Sequence, residues 1–212
     1  MKTNFRNFIL IDHPLIRRDM TVLRQALTPP EIFREAVKRI SHILAVEISS
    51  NLKTSEFEIE TPLEITTGYK IVDEIVLVPV LRAGLGMVNG FLDIITDAKV
   101  GHIGLQRDEI TLKPIEYYYK TPGNIDTAKV ILVDPMLATG GSGSEALKFL
   151  KMRGAKNLTF ACLVAAPEGI KNIEANHPDV KIYGAALDRE LNNKGYILPG
   201  LGDAGDRTFG TL

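Results

Sequence analysis

Residues 131–150 read ILVDPMLATGGSGSEALKFL. An apolar run starting at Val130 ends on a single acid, Asp134. A short turn rich in Gly, Thr and Ser follows, and then a segment of helical composition. A buried strand joined to a helix by so much glycine is built for close approach to the backbone, because a missing Cβ opens positive φ and uncovers the amides.

The pattern repeats outward from this stretch. KVILVD at 129–134 predicts a strand, GSEALKFLKMRG at 143–154 a helix, and LTFACLVAA at 158–166 a strand. PEGIKNIEANH at 167–177 predicts a further helix and VKIYGAAL at 180–187 a further strand. Strands alternating with helices of this length predict βαβ crossovers and a parallel sheet covered on both faces.

Upstream, residues 28–49 place Phe33, Val37, Ile40, Leu44 and Ile48 at helical spacing. Thr28 with Glu31 predicts a capping box, with Pro29 at the first helical position. FEIETPLEI at 57–65 alternates as a half-exposed strand or arm does. EIVLVPV at 74–80 reads as a buried strand leading into LRAGLG, and MVNGFLDII at 87–95 as a helix. KVGHIGL at 99–105 reads as a strand, and IEYYYK at 115–120 as an edge or arm strand.

The 212 residues fit one domain spanning 1–212, with 45% hydrophobic and 24% charged residues, as in ordinary globular proteins. A formal net charge of −1 gives no overall attraction to nucleic acid or an anionic membrane. No apolar run is long enough to span a bilayer, and MKTNFRNFIL lacks the apolar core of a secretory signal. The lone cysteine, Cys162, excludes an intramolecular disulfide; with the missing signal this predicts a cytoplasmic protein and a buried structural thiol. His13, His42, His102 and His177 show no metal-binding or catalytic spacing.

In open parallel sheets, ligands bind at the carboxyl ends of strands. LRAGLG, DPMLATGGS and PGLGDAG lie at such ends or beyond the last strand, so their convergence is the central expectation. Successive amides in the Thr-Gly-Gly-Ser turn form a nest for anionic oxygens, and Thr139 and Ser142 add hydroxyl donors. Ser142 with Glu145 predicts a second capping box, which would bring a helix start to the turn. No Gly-Lys pair occurs, which argues against a Walker-type loop. Gly141, Gly143 and Ala146 do satisfy a dinucleotide pattern, yet seven residues separate Gly141 from the strand, too many for the usual tight turn. Asp134 would repel the anion held by the nest, so it should face hydroxyl donors; a ribose 5-phosphate satisfies both groups.

VDPMLATGGS resembles the phosphoribosyl diphosphate (PRPP) motif of the type I phosphoribosyltransferases, in the version typical of the uracil phosphoribosyltransferase family. VPVLRAGLGM at 78–87 resembles that family's diphosphate loop, and GYILPGLGDAGDRTFGT at 195–211 its uracil-binding tail. VAAPEG at 164–169 and the early HPL and FREA stretches also match, so the likeness runs from about Asp12 to the C-terminus.

The resemblance implies an α/β type I phosphoribosyltransferase fold, a central parallel sheet flanked by helices with a small hood and a β-arm. It implies transfer of the phosphoribosyl group of PRPP to uracil, giving UMP and diphosphate. Mg²⁺ would be held mainly by PRPP and water, without a dedicated protein cage. Asp134, Pro135, Met136, Leu137, Ala138, Thr139, Gly140, Gly141 and Ser142 would hold the ribose 5-phosphate. Arg82 and Arg107 would meet the diphosphate, with Gln106 where members often carry an aromatic residue. Ile197, Gly202 and Ala204 would surround uracil, and Asp203 would lie near base, ribose, diphosphate or metal. Arg82, Arg107 and Asp203 are the candidate catalytic residues. A homodimer or higher homo-oligomer is the family expectation, and a GTP effector is known for some members. The rival readings are a regulatory PRPP- or nucleotide-binding protein with weak or no catalysis, and a dinucleotide oxidoreductase.

Overall fold

The computed structural model describes residues 5–107 and 114–211, the side chains of Arg107 and Pro114 excepted. The chain begins with strand β1 (Phe8–Leu10) and helices α1 (Pro14–Arg24) and α2 (Pro30–Ser49). An antiparallel hairpin of β2 (Thr54–Glu60) and β3 (Ile65–Ile71) follows, paired with no other strand among the described residues. Next come β4 (Ile75–Leu81), α3 (Leu85–Ile94), β5 (Lys99–Val100), β6 (His102–Arg107) and β7 (Pro114–Lys120). The stretch that opened the reading gives β8 (Lys129–Val133), β9 (Met136–Leu137) and α4 (Gly141–Met152). After it lie β10 (Asn157–Ala165), α5 (Pro167–Asn176) and β11 (Lys181–Leu187). The tail forms β12 (Glu190–Leu191), β13 (Ile197–Leu198) and α6 (Ala204–Phe209).

The main sheet runs β1-β11-β10-β8-β4-β6-β7, with β5 beside β4 and β9 beside β10. Every pairing in it is parallel except β6 with β7, which is antiparallel and puts the tyrosine-rich strand at an edge. This is the expected doubly covered sheet. The hairpin β2–β3 is the arm, and β12–β13 with α6 form the hood beyond the sheet.

Alternation along the strands sorts the core into two faces, since successive side chains of a strand point to opposite sides. Leu77, Ile131 and Val133 pack with Phe33, Val37, Ile40 and Leu44 of α2 and with Met87 and Phe91 of α3. Val76, Val78, Val130 and Leu132 pack on the other side with Leu147 and Leu150 of α4 and Ile170 and Ile173 of α5. Burying one large aliphatic side chain contributes about 1.5–3 kcal/mol, so these two layers dominate the stability of the sheet.

One irregularity shapes the site. The amides of Leu163 and Val164 both donate to the Pro135 carbonyl at 3.0 Å, where β10 passes from pairing β8 to pairing β9. This anchors the main chain immediately after Asp134 and lets the loop turn away from the sheet.

Four local expectations are corrected. Pro29 is the N-cap of α2 with Pro30 behind it, and the Thr28 hydroxyl donates to the Val22 carbonyl at 2.7 Å instead of capping. Gly140 with φ 77° is the N-cap of α4, so Ser142 lies inside the helix, and Glu145 accepts from Lys148 at 2.7 Å. The 99–105 strand is divided at Gly101, whose amide donates to the Leu77 carbonyl at 2.9 Å. The 57–65 stretch is not one strand: it turns at residues 61–64, where the Thr61 amide donates to the Glu64 carbonyl at 3.0 Å, and so joins the end of β2 to the start of β3. No helix among the described residues is long and apolar enough to cross a membrane.

Candidate active site

Adjacent parallel strands end side by side, so the loops that follow them emerge together. β4 pairs with β8 in register from Ile75↔Lys129 to Pro79↔Val133. The loop after β4 carries Arg82, and the loop after β8 carries Asp134. Gly84 joins them closely: a Cβ there would lie 2.5 Å from the Val133 carbonyl oxygen and 2.7 Å from the Val80 nitrogen. The Leu81–Arg82 peptide is cis.

The tail closes over this pair of loops. A cleft of ≈ 260 Å³ is lined by Ala83 from the first loop and by Asp134, Met136 and Ala138 from the second. Gly195, Tyr196 and Ile197 of the hood hairpin line it too, as do Gly202, Asp203, Ala204 and Gly205 at the start of α6. The three glycine-rich segments therefore meet in one place. Arg82 reaches the tail directly, its Nη2 donating to Asp206 Oδ1 at 3.4 Å.

Within the second loop the side chains divide. Pro135 and Leu137 are buried, so they can serve a ligand only through main-chain groups. Thr139 and Ser142 are exposed. Thr139 Oγ1 accepts from the Gly141 amide at 3.3 Å, while its carbonyl accepts from Asn172 Nδ2 at 2.8 Å. The first-turn amides of a helix lack intrahelical acceptors and carry the positive end of its dipole, so this turn is suited to an anion. Gly140 holds positive φ where a side chain would meet Gly169 of α5: a Cβ would sit 2.8 Å from the Gly169 carbonyl oxygen. The VAAPEG segment thus supports the turn from below.

Asp134 and Asp203 line the same cleft, near enough for their charges to interact. Met136 donates its amide to Asp134 Oδ1 at 3.4 Å. Loss of hydration nevertheless raises the Asp134 carboxyl from 3.8 to about 7, with the Asp203 charge adding to the rise. Asp203 N-caps α6, its Oδ1 accepting the Asp206 amide at 3.0 Å. Two carboxylates in one cleft are a donor set suited to hydroxyls or to a hard divalent cation that takes its other ligands from phosphate and water. Among the described residues no group of three or more His, Cys, Asp or Glu could hold a metal.

Arg107 ends β6, the strand beside β4, and its side chain lies outside the described residues. Residues 117–119 stand clear of the cleft: Arg153 stacks on Tyr119 at 4.0 Å, and Tyr117 covers Gly104. Cys162 is buried in the sheet, where burial pushes its thiol pKa strongly up, so it is no nucleophile. His42 bonds Asp93 at 2.9 Å, and His177 bonds the Ser144 carbonyl at 2.9 Å. Ala83, Gly195, Tyr196 and Gly205 line the cleft without having been singled out from sequence; all four stand inside quoted motifs, which was the available signal.

Known proteins resemble this chain in sequence and in fold. The family model described as uracil phosphoribosyltransferase matches residues 10–211. A uracil phosphoribosyltransferase of Salinibacter ruber is 53% identical over 205 residues, covering 97% of this chain and 98% of its own. One from Dictyoglomus thermophilum is 54% identical, covering 96% and 99%. Among solved structures, the AQ2163 protein of Aquifex aeolicus superposes with a TM-score of 0.89 at 36% identity, covering 95% of this chain and 97% of its own. A hypoxanthine-guanine phosphoribosyltransferase from Bacillus anthracis, at 18% identity and a TM-score of 0.53, covers 75% of this chain and 80% of its own and shares the fold.

Proposed function

The chain belongs to the uracil phosphoribosyltransferase family, and on that premise we propose that its cleft transfers the phosphoribosyl group of PRPP to uracil. In this reaction uracil N1 bonds to the anomeric carbon of the ribose. The bond from that carbon to the diphosphate oxygen breaks, the N1 proton is lost, and UMP and diphosphate leave. The observation that carries the reading is the meeting of the Arg82 loop, the Asp134 loop and the Asp203 tail around one cavity.

Residues 134–142 grip the ribose 5-phosphate through the first-turn amides of α4 and the Thr139 and Ser142 hydroxyls. Asp134 accepts hydrogen bonds from the ribose hydroxyls. Arg82, with Arg107, receives the departing diphosphate, for which a planar guanidinium offers paired donors. Charge developing at the anomeric carbon resembles that in glycoside cleavage, so aligned anions and fixed dipoles lower the barrier. The main chain around Ile197, Gly202 and Ala204 presents donors and acceptors to the base. Asp203 stands between base and diphosphate.

The Asp134 and Asp203 carboxylates, which share the cleft, would suit a Mg²⁺ ion that takes its other ligands from phosphate and water. When bound, that ion supplies neutralisation of diphosphate charge. Residues 1–212 act in this reading as one cytoplasmic phosphoribosyltransferase domain. The arm supports a homodimer or larger homo-oligomer, because Phe57, Ile65 and Tyr69 expose apolar surface on it. A GTP effector is supported by the family alone. A regulatory PRPP- or nucleotide-binding protein with weak or no catalysis would use the same cradle and tail, and it is told apart by releasing no diphosphate from PRPP in the presence of uracil.

Purified protein mixed with Mg²⁺, PRPP and uracil tests the reading: UMP and diphosphate form in equal amounts, and no product would refute it.

A further inference from the structure

We propose that Arg24 and Asp188 are positioning residues of the base subsite: together they hold both main-chain groups of Gly200 and so fix the loop whose main chain reads the base. This rests on the phosphoribosyl-transfer reading of the cleft.

Arg24 is the last residue of α1, far in sequence from the tail. Its Nη1 donates to Asp188 Oδ2 and to the Gly200 carbonyl, both at 2.8 Å, and its Nη2 donates to Asp188 Oδ1 at 2.5 Å. The Gly200 amide donates to Asp188 Oδ2 at 2.8 Å. The carboxylate and guanidinium thus grip the two polar groups of one residue. Asp188 is 7% exposed, so the grip is shielded from competing water.

A second arginine holds the next residue to the same helix end. Arg207 Nη1 donates to the Leu201 carbonyl at 2.8 Å and also to the Leu23 carbonyl, while Nη2 donates to the Gln25 carbonyl at 2.5 Å. Its guanidinium lies 4.6 Å over the Phe33 ring. Consecutive residues of the tail are therefore referenced to the carboxyl end of α1.

The loop between β13 and α6 is anchored past Gly200 by the buried Leu201 side chain and by the Asp203 cap, which leaves the main chain of Gly200 itself to Arg24 and Asp188. Gly200 and Gly202 have φ of 64° and 80°, conformations a glycine chain visits but does not hold unaided. Fixing each residue costs backbone entropy. A base recognised by main-chain groups binds well only if that cost is met beforehand. Buried ion pairs add little net stability, because desolvation offsets their attraction, but charge-assisted bonds define geometry sharply. Geometry is what this pair contributes.

The test uses the full chain with Asp188→Asn and Arg24→Lys, varying uracil and PRPP separately. The pair predicts a KM for uracil raised about tenfold or more, with the KM for PRPP within about twofold. A merely structural role would lower the active fraction, hence apparent kcat, and leave the uracil KM alone. Amide hydrogen exchange across residues 197–204 should quicken in both variants. A folded variant with unchanged uracil KM and unchanged exchange overturns the proposal. If one variant fails to fold, the other decides. The unsubstituted chain is assayed first: absence of UMP there removes the enzymatic reading, while the exchange measurement still decides whether the pair orders the loop.

Discussion

Asp134 and Asp203 line the same cleft, one from the end of β8 and the other from the cap of α6. Burial, reinforced by the Asp203 charge, holds the Asp134 carboxyl near 7. An acid raised in this way binds its proton more tightly in the folded chain than in the unfolded one. Stability therefore falls as pH rises from about 4 to 7 and levels off above, since the unfolded state binds fewer protons in that window. Asp134→Asn removes the penalty. The variant should gain about 2 kcal/mol relative to the parent at pH 8 and little at pH 4, read by denaturant titration at both values. Its kcat/KM for PRPP should fall at least tenfold, because a charged acceptor for ribose hydroxyls is worth roughly 1.5–3 kcal/mol.

Arg82 is tied to Asp206 by one 3.4 Å contact, and its side chain is 60% exposed. An ion pair so open contributes little to stability. Asp206→Asn should therefore change denaturation midpoints only slightly. Arg82→Lys, which keeps charge but loses the planar fork, should lower kcat/KM by about 10- to 100-fold. Equal, small effects in steady-state assays of both variants would remove Arg82 from the diphosphate site.

Gly169 backs the loop proposed to hold the phosphate. A Cβ there would lie 2.5 Å from the Ala138 carbonyl oxygen and 2.7 Å from that of Leu137. Gly169→Ala must push the 134–140 loop outward, which costs about 1–3 kcal/mol in a packed site. Separate titration of the two substrates should show a higher KM for PRPP and an almost unchanged KM for uracil.

In the proposed reading, base choice rests on the main chain around Ile197, Gly202 and Ala204. Cytosine carries an amino donor where uracil carries a carbonyl acceptor, so it leaves protein groups unpaired at about 1–3 kcal/mol each. Competition assays should show kcat/KM for uracil exceeding that for cytosine by about 10²-fold or more.

The sheet was legible because its signals are periodic and local. EIVLVPV, KVILVD and LTFACLVAA are apolar runs bounded by turn residues, and they became β4, β8 and β10. The helix boundaries were less legible. Thr28 and Ser142 carry capping side chains, but Pro29 and the positive φ of Gly140 set the helix starts, so tertiary backbone geometry outweighed local propensity. The tail read as a glycine-rich segment, and its α6 turn escaped because six residues are too few to show a helical period. Arg24, Asp188 and Arg207 were invisible for a different reason. Their bonds link α1 to the tail across the length of the chain, and no local pattern in a single sequence encodes such pairs. Ile65–Ile71 likewise pairs with β2 as a hairpin, although ITTGYKI mixes glycine and threonine with few apolar residues.

The most direct measurement incubates the protein with Mg²⁺ and PRPP, adds uracil, cytosine, adenine or guanine one at a time, and quantifies nucleotide and diphosphate by chromatography. One cleft built from the Arg82, Asp134 and Asp203 loops predicts UMP and diphosphate in equal amounts with uracil and almost none with the other bases. Nucleotide formed equally from all four bases, or from none, would contradict it.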